Sequence, residues 1–98
     1  MNKRVVIWGG GSKGVAFLTA LQQRDVIAYV VDINPNKRDT FMAGTGHAIV
    51  GPDFLVTYQP DVVIVMNPIY CEEIGRNLAN LDIQAEMLAI DLHDSVYA

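Results

Sequence analysis

The run Trp8-Gly9-Gly10-Gly11-Ser12-Lys13-Gly14-Val15 constrains this chain more than any other feature, because it joins an apolar, β-branched segment to an apolar stretch with helical spacing. A G-x-G-x-x-G pattern alone is weak. Set between a strand and a helix, it marks the turn at which an α/β domain cradles a phosphate. Gly9 permits a tight turn, Gly11 removes the Cβ that would block a phosphate, and Gly14 lets helix and strand pack closely. Ser12 is placed to cap the helix, whose unpaired N-H groups attract an anion, and the Lys13 ammonium adds a point charge. The other reading of the same residues is a tight strand-to-helix turn with a solvated lysine.

The alternation continues along the chain. Arg4-Val5-Val6-Ile7-Trp8 reads as a buried strand, and Lys13 to Arg24 as a helix with Val15, Leu18 and Leu21 on one face. Val26 to Asp32 reads as a second strand, ended by the turn Asn34-Pro35-Asn36. Asp39 to Gly51 is glycine-rich and irregular, with Ala48-Ile49-Val50 as a short strand, and Pro52-Asp53-Phe54-Leu55 opens a short helix with proline at its first position. Asp61 to Asn67 is a third strong strand, Cys71 to Leu81 a second helix, and Ala85 to Ile90 a fourth strand. Strands alternating with helices through right-handed crossovers predict a three-layer α/β sandwich around a mostly parallel sheet.

At 98 residues the chain is one domain, short for a complete doubly wound enzyme. Its 51% hydrophobic content suits buried parallel strands and excludes a disordered segment. A formal net charge of -4 argues against a nucleic-acid partner, which calls for a basic face. A single cysteine excludes an internal disulfide. Without an apolar run near the ~20 residues of a membrane span, or a signal-type apolar region at the start, the expectation is a cytoplasmic chain with no membrane partner.

In such sheets ligands bind at the carboxyl ends of the strands, so the loops after Trp8, Asp32 and Asn67 are expected to converge. Asp32 lies about 20 residues beyond the glycine loop, where a carboxylate accepts hydrogen bonds from ribose hydroxyls. Its alternative role is to cap the turn before Asn34-Pro35. Asn67 can donate to a ligand and Tyr70 stack on a base, or both can serve helix entry and packing. His47 reads as a solvated loop histidine, because no base partner stands at motif spacing. Cys71 reads as structural, since Glu72 and Glu73 favour the neutral thiol at its helix start. Trp8 reads as the last core residue of its strand. No Cys/His cluster predicts a metal site.

Taken together, Trp8-Gly9-Gly10-Gly11-Ser12-Lys13-Gly14-Val15, Val30-Val31-Asp32-Ile33-Asn34-Pro35-Asn36-Lys37 and Gly44-Thr45-Gly46 closely resemble the C-terminal domain of S-adenosylmethionine-dependent sugar C-methyltransferases. The resemblance runs from Arg4 to about Ile90. It implies a Rossmann-like domain, residues 1–98, belonging to a larger methyltransferase whose zinc-binding and central methyl-donor domains are not in this sequence. It implies further that the domain holds a nucleotide-linked deoxysugar, a dTDP-keto-sugar, against the central domain. There a base removes the proton beside the ketone and the carbanion takes the methyl group. On this reading Gly9, Gly10, Gly11, Ser12, Lys13, Gly14, Asp32, Asn34, Asn67 and Tyr70 bind substrate. The chain has no catalytic residue and no cofactor of its own, S-adenosylmethionine belongs to the absent domain, and the isolated chain is inactive. Gly10 stands where the family often has alanine, and Asp39-Thr40 and Ala43 depart from its usual middle loop.

Two other classes stay open. The three glycines and Asp32 would equally serve a dinucleotide module of an oxidoreductase or redox sensor. A structural domain would instead associate, as a homodimer for example, and bind no nucleotide.

Overall fold

β-branched and apolar residues build the centre of the sheet. The computed structural model describes residues 3–9, 17, 26–42 and 45–90. Val5–Trp8 (β1), Ile27–Val31 (β2), Ile49–Val50 (β3), Val62–Val65 (β4) and Glu86–Ala89 (β5) form one sheet in the order β3-β2-β1-β4-β5. All its strand pairs are parallel. This is the strand order of a dinucleotide-binding half, with its switch point between β1 and β4. The Rossmann-like α/β fold expected from the sequence is the fold observed.

Burial on both faces explains why β1 and β4 are continuous apolar runs. On one face Val6, Trp8, Val31, Val63 and Val65 meet Leu55 of the helix Phe54–Tyr58 (α1) and Ile74 and Leu78 of the helix Cys71–Asn80 (α2). On the other, Ile7, Val30, Ile64 and Met66 pack with Met42 and Phe17. Phe17 is helical and is the described residue of the helix expected over Lys13 to Arg24; the rest of that helix lies outside the described residues, as does Ser12 with its expected cap. The register between β1 and β2 shifts so that Val5 pairs with Ile27 and Val6 with Tyr29. Ala28 is therefore an extra, exposed residue, and this bulge puts Ile27 and Val30 on the same face.

The strands are shorter than the apolar runs suggest, but the ladder continues past them through single backbone bonds. Arg4 precedes β1, yet its carbonyl accepts from Asp61 at 2.8 Å and from Val62 at 3.1 Å, while its own N-H donates to the Asp61 carboxylate at 2.8 Å. Beyond β5, Ile90 donates to the Val65 carbonyl at 2.8 Å.

The stretch read as irregular is ordered by its backbone. Met42 donates to the His47 carbonyl, Ile49 to Thr40 and Asp39 to Ile49, and Phe41 bridges Ala48 antiparallel. A hairpin thus lies along β3. Its pairing comes from backbone groups, so no side-chain periodicity announces it. Pro52 sits in the turn leading into α1, with Phe54 donating to Gly51 and Leu55 to Pro52, and the helix itself begins at Phe54. The turn at Asn34-Pro35-Asn36 becomes a 3-10 helix, Pro35–Lys37, capped by the Asn34 side chain.

α2 ends in a paired-bond cap. Ile83 donates to Leu78 at 2.9 Å and Asp82 to Ala79 at 3.0 Å, and Ile83 is buried against Leu78 in the core. The residue at the left-handed position is Asp82, with φ 57, where glycine fits without strain. Asp82→Gly is expected to stabilise the fold by about 0.5–1 kcal/mol, read as a higher urea midpoint at unchanged m-value.

The short α1 is clasped by aromatic rings. Tyr29 meets Phe54 at 4.7 Å and Tyr58 at 5.1 Å between centroids, both edge-on, and the Arg4 guanidinium lies 5.9 Å from the Tyr58 ring centre. Burial pushes the Tyr58 phenol above its ordinary 10.0, against a lowering by Arg4, with Tyr29 and Asp61 adding to the rise. An acid whose pKa is raised by folding keeps its proton longer in the native state. Its contribution is intact below pH ~10 and is lost as pH rises through the folded value. Stability measured by urea unfolding should therefore fall above pH ~10, and Tyr58→Phe should flatten that decline.

Candidate functional site

Parallel pairing sets the site, because it brings the carboxyl ends of adjacent strands to one level. Trp8 pairs with Val31 on one side and Val65 on the other. Gly9, Asp32 and Met66, each the next residue along, are therefore level across the middle of the sheet, with Asn67 one step further on. The segments after β2 and β4 and the first residue after β1 thus share one edge of the sheet, while the loop beyond Gly9 lies outside the described residues.

Gly9 leaves β1 with φ 131, a conformation that a side chain rarely adopts, while its N-H donates to the Val31 carbonyl at 2.7 Å. A Cβ there would stand 3.6 Å from Met66 Cγ, an ordinary contact. The turn, not crowding, is what demands glycine. Gly10, Gly11, Ser12, Lys13 and Gly14 lie outside the described residues.

Asp32 follows β2, its N-H donating to the Val50 carbonyl at 3.0 Å. Its Oδ1 accepts from the Asn34 N-H at 2.9 Å, and the Asn34 Oδ1 in turn accepts from Asn36 at 3.0 Å. The turn-capping role is thus real for both residues. An ionised carboxylate has about four acceptor positions, of which this cap takes one. Capping holds the half-buried carboxylate at the crevice and is compatible with a ligand hydroxyl. Asn34 is exposed one turn away, and its oxygen serves the 3-10 helix.

Asn67 caps the 3-10 helix Pro68–Tyr70, its Oδ1 accepting from Ile69 at 3.2 Å and its carbonyl from Tyr70 at 3.0 Å. Helix entry is therefore one of its roles, and the cap uses oxygen, leaving the amide N-H groups outside it. Tyr70 is 50% exposed at the same edge. Two neighbours that the sequence reading passed over are more exposed still: Ile33 at 59% and Ile69 at 74%. An isoleucine flanked by polar turn residues carries no sign of its exposure, so only the fold reveals them.

The remaining candidates fall elsewhere. His47 precedes β3, back toward the amino ends of the strands, with its Nδ1 2.8 Å from the Thr45 hydroxyl oxygen. Cys71 opens α2 and packs against the core, as does the buried Trp8. Among the described residues no group of three His, Cys, Asp or Glu side chains could hold a metal ion. No described helix is long and apolar enough to cross a membrane. A groove between α2 and β5 is lined by Leu78, Ile83, Ala85 and Met87 and offers no titratable side chain.

A family model described as the C-methyltransferase C-terminal domain matches residues 1–89. Comparison with curated proteins gives no match. Among solved structures, UDP-D-quinovosamine 4-dehydrogenase from Vibrio fischeri aligns with a TM-score of 0.72 at 25% identity, covering 99% of this chain and 85% of that one. RSP, a Rex-family repressor, aligns with a TM-score of 0.67 at 15% identity, covering 98% of this chain. The chain spans 56% of that repressor's length, and the likeness is one of fold.

Gly9→Ala is expected to destabilise the domain by about 1–3 kcal/mol, seen as a lower urea midpoint, because alanine must carry the positive φ. A shift below 0.5 kcal/mol would mean that the turn relaxes and that Gly9 is not required by conformation.

Proposed function

Because the chain belongs to the C-methyltransferase C-terminal domain family, we propose that its carboxyl-edge crevice holds the nucleotide of a nucleotide-linked sugar, a dTDP-keto-deoxysugar, for a methyltransferase domain of the same full-length protein. The observation that carries this reading is the placement of Gly9, Asp32 and Asn67 just past the carboxyl ends of β1, β2 and β4, at the point where the strand order reverses. The resemblance of the fold to an enzyme named for a UDP-linked sugar lends support.

Each group has a task in this reading. Asp32 accepts a hydrogen bond from the sugar hydroxyl of the nucleoside, and Asn67 donates to an oxygen of the ligand. The glycine loop, Gly9 to Gly14 with Ser12 and Lys13, receives the diphosphate; Asn34 shapes the turn, and Tyr70 borders the base. S-adenosylmethionine supplies an electrophilic methyl group from the other domain, where proton removal beside the ketone also takes place. The work of this chain is to bind and orient. No nucleic acid or membrane enters the reading, and its setting is the cytoplasm.

A ¹⁵N-¹H NMR titration with dTDP, run beside NAD and S-adenosylmethionine, tests it. Saturable shifts of the Gly9, Asp32 and Asn67 amides with dTDP are expected, and Asp32→Asn should weaken the affinity about tenfold through loss of one charge-assisted hydrogen bond. Shifts with NAD alone would replace the reading with a dinucleotide module. Silence with all three ligands, together with concentration-dependent association, would replace it with a structural domain.

A further inference from the structure

We infer that Met87 is a site of oxidation by hydroperoxides, and that its sulfoxide loosens α2 from the edge of the sheet. The inference does not depend on the nucleotide reading. Met87 lies in β5, which pairs with β4 alone among the described strands. Its side chain lines the groove between α2 and β5, and the residue is 37% exposed. Met42 and Met66, at 3% and 5%, are held in the core, so the three thioethers differ sharply in access to a reagent in water.

A second observation shows what this side chain does. Gly75 stands in the middle of α2, where glycine is a poor helix former, and its φ is not positive, so no turn demands it. Met87 accounts for it. A Cβ on Gly75 would stand 3.3 Å from Met87 Cε, a tight contact, and 3.9 Å from Sδ. The thioether end of Met87 therefore sits over the bare Cα of Gly75 and joins β5 to α2. In the oxidation, a hydroperoxide gives its terminal oxygen to a sulfur lone pair: the O–O bond breaks, the S–O bond forms and the alcohol, or water from hydrogen peroxide, leaves. Sulfur is oxidised by two electrons and the peroxide reduced by two. The product carries a polar oxygen on the atom that packs beside Gly75. Leu78, Ile83 and Ala85 wall the groove with apolar side chains, and Gln84, the polar side chain among its lining residues, is itself exposed. The hydrogen bonds that the oxygen requires thus come from the solvent side of the strand, away from Gly75, and the sulfoxide gives up its seat to reach them.

The test treats the full chain with hydrogen peroxide, folded and in concentrated urea, and follows each sulfur by tryptic digestion and tandem mass spectrometry. Cleavage after Lys and Arg puts Met87 in the peptide Asn77–Ala98 and Met42, Met66 and Cys71 in Asp39–Arg76. In the folded chain Met87 should gain oxygen on the order of tenfold faster than Met42 and Met66, and in urea the three rates should converge. The chain oxidised at Met87 should unfold at a urea midpoint about 0.5 M lower. Met87→Leu, a swap of similar volume, should fold and hold its midpoint through the same treatment. Met42 or Met66 reacting as fast as Met87 in the folded chain would overturn the site. A midpoint unmoved by oxidation of Met87, or an equal fall in Met87→Leu, would overturn its role against Gly75.

Discussion

The structure depends on β1 being paired on both sides. It is hydrogen-bonded to β2 and β4 in parallel, with Val6 and Ile7 fully buried against opposite faces. A strand so placed satisfies its backbone groups on both edges and its side chains on both faces, which no edge strand can do. From it follow the level of every carboxyl end, the position at which Gly9 must turn, and the distance between the segments after β2 and β4. The site is a consequence of sheet geometry before it is a consequence of any side chain.

The polar residues around the crevice combine two duties that are often set against each other. Asp32, Asn34 and Asn67 all accept local backbone N-H bonds. Such bonds hold short turns in one conformation, and turns of one conformation present their remaining polar atoms, and their exposed apolar neighbours, at defined places. Capping and ligand contact are two uses of one preorganised loop. The edges of the sheet are treated differently. At β3 a hairpin supplies an antiparallel partner through Met42 and Thr40, whereas β5 is a short strand whose residues are all exposed.

Much of this architecture could be read from residue order. The β-branched runs around Val6, Val30 and Val63 are buried on both faces and therefore apolar throughout, and α2 shows its buried stripe through Ile74 and Leu78. The antiparallel pairing of Thr40 to Met42 with His47 to Ile49 escaped because it is made of backbone bonds, which leave no side-chain pattern in the sequence. The bulge at Ala28 escaped because register is a property of two strands, not one. At the site, Asp32 and Asn67 were recognisable by chemistry and by their position after a strand, whereas Ile33 and Ile69 looked like any other apolar residue until their exposure was known.

By itself, then, the sequence determined the alternation of strand and helix, the glycine turn after the first strand, the acid after the second and the family to which the combination belongs. These are local properties, carried by periodicity, propensity and backbone freedom within a few residues. Tertiary structure alone decided the strand order, the common level of Gly9, Asp32 and Met66, the pairing along β3, and which isoleucines face water. The physical reason is that pairing and burial are relations between segments far apart in the chain. Val31 and Val65 are 34 positions apart in sequence (65 − 31), yet both pair with Trp8.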